Sequence, residues 1–116
     1  MATTLFESCQ EIKLSDLNIL KRSHRRGHDI LFVDQASATK ILDSGAEPRF
    51  SPLGRFIVLD DEGKISCAID NTDGCAWTED FWDFEGAANW LTDADFDLES
   101  YYDRYLARHE KKGAKS

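Results

Sequence analysis

Apolar positions recur along this chain at two different periods, and the changes of period mark its elements. Leu5, Cys9 and Ile12 follow helical spacing, and Ser15-Asp16 offers a cap for a second segment that carries Leu17 and Leu20 into a basic run. Residues 3–26 are therefore expected to be helical, in one piece or two, closed by Gly27. His28–Val33 (HDILFV) is a short apolar run that suits a strand. Ser37–Asp43 places Ala38, Ile41 and Leu42 on one side of a brief helix, with Gly45 as its stop. Glu47–Gly54 holds both prolines, Pro48 and Pro52, and reads as a loop.

The clearest β pattern follows. Arg55–Leu59 (RFIVL) is apolar and β-branched, Asp60–Gly63 is a turn, and Lys64–Asp70 (KISCAID) alternates with Ile65, Cys67 and Ile69 on one face. These features predict a hairpin. Asn71–Gly74 is a further turn, and Cys75–Phe81 is expected as another strand, although Glu79 interrupts its apolar side. Phe84, Ala87, Ala88 and Leu91 then return to helical spacing. Asp97 can cap a last helix with Leu98, Tyr101, Tyr102, Tyr105 and Leu106 as its stripe, and residues 111–116 form a frayed tail. The expected architecture is α+β: a small antiparallel sheet of about three to four strands packed against helices on one side, in a single domain spanning 1–116.

Composition agrees with a packed domain. The chain has 116 residues, 41% of them hydrophobic, including three Trp, three Tyr and seven Phe, which is enough apolar material to order a chain of this length. The N-terminal sequence has neither the basic start nor the long apolar stretch of a secretory leader. No apolar run approaches the length of a membrane span. Cys9, Cys67 and Cys75 are odd in number and lack CxxC spacing, so they are expected as reduced thiols in a cytoplasmic protein.

The charge changes the picture more. The net charge is -8, but residues 1–59 hold seven acids and eight bases while residues 60–116 hold fifteen acids and six bases. Between Asp60 and Asp103 there are fourteen acids and one base, Lys64. A solvated acidic face keeps a protein soluble; a field of one sign also speeds the approach of a basic partner. The opposite feature is Lys21–His28 (KRSHRRGH), whose cations can contact phosphates or face the acidic half, within one chain or across a homodimer. Without interleaved aromatics and with a strongly acidic remainder, direct nucleic-acid binding is not expected.

Constellations for catalysis or metal binding are weak. His24 and His28 are four apart, but Gly27 lies between them and no further ligand completes a zinc set. Asp70–Gly74 superficially resembles a calcium loop, yet a glycine at position six puts Ile69 at position one. GxSxG, P-loop, dinucleotide, HExxH and kinase signatures are missing. An enzyme using Cys75 or His28 has no motif behind it, so the expectation is a non-enzymatic protein without cofactor or metal.

Two segments carry the interaction signal. In Thr78–Glu85 (TEDFWDFE), Glu79, Asp80, Asp83 and Glu85 alternate with Phe81, Trp82 and Phe84. Trp82 lies out of phase with the two phenylalanines and is the expected exposed anchor. Aromatic residues are enriched among binding hot spots, and carboxylates beside them meet Arg or Lys in charge-assisted bonds. Thr92–Glu99 (TDADFDLE) adds Asp93, Asp95, Asp97 and Glu99, more acids than capping needs.

The acidic domain, the hairpin RFIVLDDEGKISCAID and the tryptophan-bearing acidic stretch FWDFEGAANWLTDADFDLESYYD together resemble a group of small phage and mobile-element proteins. That group includes anti-CRISPR inhibitors and other DNA-mimic inhibitors of host defence. The resemblance is one of style and covers roughly the second half of the chain. It implies an inhibitor, in the cytoplasm of a bacterial host, that occupies a basic, nucleic-acid-binding surface of a defence complex such as a CRISPR effector. The alternative is an immunity protein that neutralises a nuclease toxin with the same acidic face. Either way the partner is a basic protein or nucleoprotein complex, and a membrane plays no part.

Overall fold

The computed structural model describes residues 12–44 and 52–105. Arg26 and Gly27 both have positive φ, 51° and 78°, the combination a two-residue hairpin turn needs to match the twist of its strands. They join β1 (Ile19–Arg25) to β2 (His28–Val33) in antiparallel register from Arg25 opposite His28 to Ile19 opposite Val33. The helical expectation for residues 3–26 is therefore corrected for its described part, where the only helical turn is the short 3-10 segment Leu14–Asp16. Residues 3–11 lie outside the described residues. The physical reason is that a basic run with few apolar positions has no strong period of its own, so the Arg-Gly turn and the apolar β2 decide its state. Leu20 is the extra residue where the pairing shifts between Ile19 and Lys21, which makes it a bulge rather than part of a helical stripe.

Asp34 caps the next helix, α1 (Gln35–Ser44), by accepting the Ser37 amide at 2.8 Å. Its other oxygen accepts Asn18 Nδ2 at 2.9 Å, and Ser37 Oγ accepts the Asn18 amide at 2.7 Å, tying the segment before β1 to this helix. The Asn18 and Ser37 bonds hold the Asp34 carboxyl below its ordinary range. A helix between two strands allows them to run the same way, and β3 (Gly54–Leu59) pairs in parallel with β2. β4 (Ile65–Asn71) and β5 (Trp77–Asp80) then add antiparallel neighbours. Among the described residues the sheet has five strands in sequential order, with β1 and β5 at its edges.

The α+β class holds, with three corrections of detail. The sheet has five strands rather than three or four, it is mixed rather than antiparallel, and helices cover both faces rather than one. On one face α1 contributes Ala38 and Ile41 to a cluster with Val33, Phe56, Val58 and Ile69. On the other, α2 (Phe84–Thr92) and a last helix α3, residues 98–105, bring Ala87, Ala88, Leu91 and Tyr101 onto Ile30, Phe32, Ile57 and Ala68. The β3–β4 hairpin forms as the alternation predicts, except that Ser66 is skipped in the pairing, Val58 facing Cys67 and Leu59 facing Ile65. That bulge sends Ile65 to the α2 side, away from Cys67 and Ile69. Asn71, fully buried, satisfies its amide by donating to the Pro52 carbonyl and accepting from the Ala76 amide, at 2.8 and 2.9 Å.

Gly45, Glu47–Ser51, Leu106 and the tail at 111–116 lie outside the described residues. No helix of the described residues is long and apolar enough to cross a membrane.

Candidate interaction surface

The acidic residues of 79–99 gather around α2 and α3, where each is placed by packing. Phe81 is fully buried at the end of β5, with Tyr101, Trp90, Phe96 and Tyr102 ring centroids 5.3, 5.5, 6.3 and 6.5 Å away. This aromatic floor fixes the chain on either side of it. Two residues on, Asp83 caps α2 by accepting the Gly86 amide at 2.8 Å, and the Tyr101 hydroxyl donates to the same oxygen at 3.2 Å. Gly86 is required by this contact: a Cβ there would lie 2.7 Å from the Tyr101 ring and 2.9 Å from Asp83 Oδ1. Tyr102 Oη lies 3.1 Å from Glu79 Oε2 and 2.9 Å from the Asp80 carbonyl. Burial, reinforced by Glu79, pushes the Tyr102 hydroxyl up to about 12.

A second set of carboxylates faces the β1–β2 hairpin. Arg25 makes two bonds of 3.1 Å with Glu85, donates to Asn89 Oδ1 at 2.9 Å and stacks 5.0 Å over the Phe84 ring. Arg26 donates to Asn89 Oδ1 and Thr92 Oγ1 at 2.7 and 3.2 Å and lies 3.8 Å from Asp93. Residues 85, 89 and 92 of α2, with its C-cap Asp93, form one outward stripe, and the hairpin clamps it. The bidentate Arg25 bond holds the Glu85 carboxyl below its ordinary range. Part of the Lys21–His28 run thus faces the acidic half of its own chain. His24 sits on β1 beside Asp29, at 3.0 Å, and His28 across the turn on β2, so the shared helical face considered for a zinc pair does not form.

The predicted site residues therefore divide. Asp83 and Asp97 are caps, Asp97 accepting the Ser100 amide and hydroxyl at 3.0 and 2.7 Å. Glu79 meets Tyr102, Glu85 meets Arg25, and Asp93 accepts the Asp95 amide and faces Arg26. Asp80, Asp95 and Glu99 are exposed and, among the described residues, make no ion pair. Trp82 is 41% exposed and stacks flat on Tyr105, centroids 4.0 Å apart and planes at 11°. Asp103 is also exposed, on the outer side of α3.

Sequence reasoning missed Trp77, which is 61% exposed on the edge strand, its indole N–H donating to Asp73 Oδ2 at 3.2 Å. A signal was present: Trp77 follows a turn and shares the interrupted side of that strand with Glu79. The helical stripe predicts Tyr105 for the core, yet it serves as the platform for Trp82. An open groove of about 220 Å³ lies where α2 meets α3, walled by Asp83, Glu85, Phe96, Tyr101, Arg104 and Tyr105.

Cys67 and Cys75 are free thiols, and burial pushes the Cys67 thiol up, away from the reactive thiolate. Among the described residues no group of three or more His, Cys, Asp or Glu is arranged to hold a metal ion. Asp70 and Asp73 serve the 70–77 turn instead, accepting from Thr72 and from Cys75 and Trp77. Comparison with family models, with curated proteins and with solved structures finds no match to this chain.

Proposed function

We propose that this chain is a non-enzymatic inhibitor, acting in a bacterial cytoplasm, that docks on a basic, nucleic-acid-binding surface of a defence complex of the CRISPR-effector kind. The observation that carries the reading is that Asp80, Asp95, Glu99 and Asp103 stay exposed in the same acid-rich segment that presents the Trp82–Tyr105 stack. None of the four makes an ion pair among the described residues, whereas Arg25 and Arg26 engage Glu85 and Asp93. The stacked indole gives a rigid anchor with little entropy left to lose. The carboxylates supply long-range attraction and compete with phosphates for Arg and Lys.

The test uses capture from nuclease-treated bacterial lysate, then kinetics with the retained complex. Reversing Asp80, Asp95, Glu99 and Asp103 to Lys should slow association by about 10- to 100-fold at low salt. Nucleic acid should compete with the wild-type chain for the same complex. Unchanged association of the reversed variant sinks the reading, and retention of a nuclease toxin in place of a defence complex redirects it to an immunity protein.

A further inference from the structure

We propose that the free edge of β5 takes up an extended cationic segment of the partner as an added strand, with two consecutive basic residues of that segment opposite Asp80 and Glu79. This rests on the reading of the acidic face as a dock for a cationic protein, and adds the form in which the partner arrives. β5 is hydrogen-bonded to β4 along one side, and among the described residues no strand lies along the other. Such an edge offers a row of backbone donors and acceptors to an incoming chain. The opposite edge, β1, is guarded by the bulge at Leu20 and by its own basic side chains. β5 has neither device: its pairing is unshifted from Asp80 to Trp77, and the chain carries no Lys or Arg from residue 65 to 103. At its Asp80 end the Tyr102 hydroxyl, 2.9 Å from the Asp80 carbonyl and 3.1 Å from Glu79 Oε2, gives way to the added strand.

The register specifies what would fit. Glu79 lies across from Ala68 and Trp77 across from Asp70, on the α2 side, while Asp80 lies across from Cys67 and Thr78 across from Ile69, on the α1 side. Each face of the edge thus presents one carboxylate, at neighbouring positions. An added strand alternates its side chains in the same way. A basic pair at adjacent positions therefore meets both acids as cross-strand neighbours. Trp77, two positions from Glu79 on the same face and held by its bond to Asp73, covers an apolar or cationic side chain two positions beyond the pair.

The experiment uses the full chain and a blocked eight-residue peptide, rich in Val and Thr, that contains an Arg-Arg pair. A second peptide has the same sequence with alternate backbone amides N-methylated, which keeps the charge and removes strand pairing. Calorimetry at low salt should find the methylated peptide weaker by about tenfold or more, since each lost ladder bond counts. The unmethylated peptide should also slow amide exchange at residues 77–80. In the Glu79→Gln, Asp80→Asn double variant the methylation effect should persist, while the preference for Arg-Arg over Ser-Ser is lost. Equal affinity of the two peptides overturns strand addition and leaves the acidic-face reading standing, because that reading is tested separately by the four-residue charge reversal against the retained complex. No binding by either peptide also overturns it. Concentration-dependent self-association that the peptide does not displace overturns it too, giving the edge to a second copy.

Discussion

The carboxylates along α2 and those on β5 and α3 come from the same acid-rich half of the chain, but their surroundings give them opposite roles. On α2, Glu85 and Asp93 meet the arginines of a hairpin formed more than fifty residues earlier in the chain. On β5 and around α3, Asp80, Asp95 and Glu99 meet solvent. Charge density is the same kind of signal in both regions; what differs is whether the folded sheet delivers a cation. An acidic cluster is therefore informative about binding only after its intramolecular partners are subtracted.

The comparison can be broken at its base by removing the floor both regions share. Phe81→Ala should destabilise the fold by roughly 3–5 kcal/mol, measured by denaturant unfolding, because it empties a fully buried site among aromatic rings. Gly86→Ala should cost about 1–3 kcal/mol, because the new methyl displaces Tyr101 from its seat on α2. Its near-ultraviolet signal should change with the Tyr101 environment. Asp83→Ala should cost about 1 kcal/mol through the lost cap, whereas Asp95→Ala should stay within about 0.5 kcal/mol. Equal costs for these two would erase the distinction between structural and outward acids.

Titration sharpens the same contrast with a smaller effect. Glu85, Asp34, Asp73 and Asp97 have depressed carboxyl values, mainly from hydrogen bonds to Arg25, Asn18, the Cys75 amide and Ser100 respectively. A depressed acid stabilises the fold fully above its unfolded value and loses that contribution as pH falls through the folded one. Stability should thus be flat above the ordinary values of 3.8 and 4.5 and fall below them. Arg25→Ala should make the acid limb shallower. Tyr102 behaves in the opposite sense: its contribution is complete below the ordinary 10.0 and is lost as pH rises toward about 12. Tyr102→Phe should remove that alkaline component.

Much of the architecture was legible. β2, the β3–β4 hairpin, α2 and the Asp97 cap follow from runs of apolar residues with clear periods and local turn or cap chemistry. β1 was not legible, because Lys21–Arg25 carries no apolar alternation and its strand state comes from pairing with β2. The site was half legible: clustering identified the acids and Trp82, while the exposure of Trp77 and the engagement of Glu85 depend on distant partners.

By itself the sequence determined the α+β class, the acidic second half and the aromatic content of the core, because period, turn residues and charge are local properties. Only the tertiary structure decided that the sheet is mixed and covered on both faces, and which carboxylates remain outward. Strand order and ion pairing are long-range choices, made where apolar burial brings remote segments together, and no local pattern encodes them.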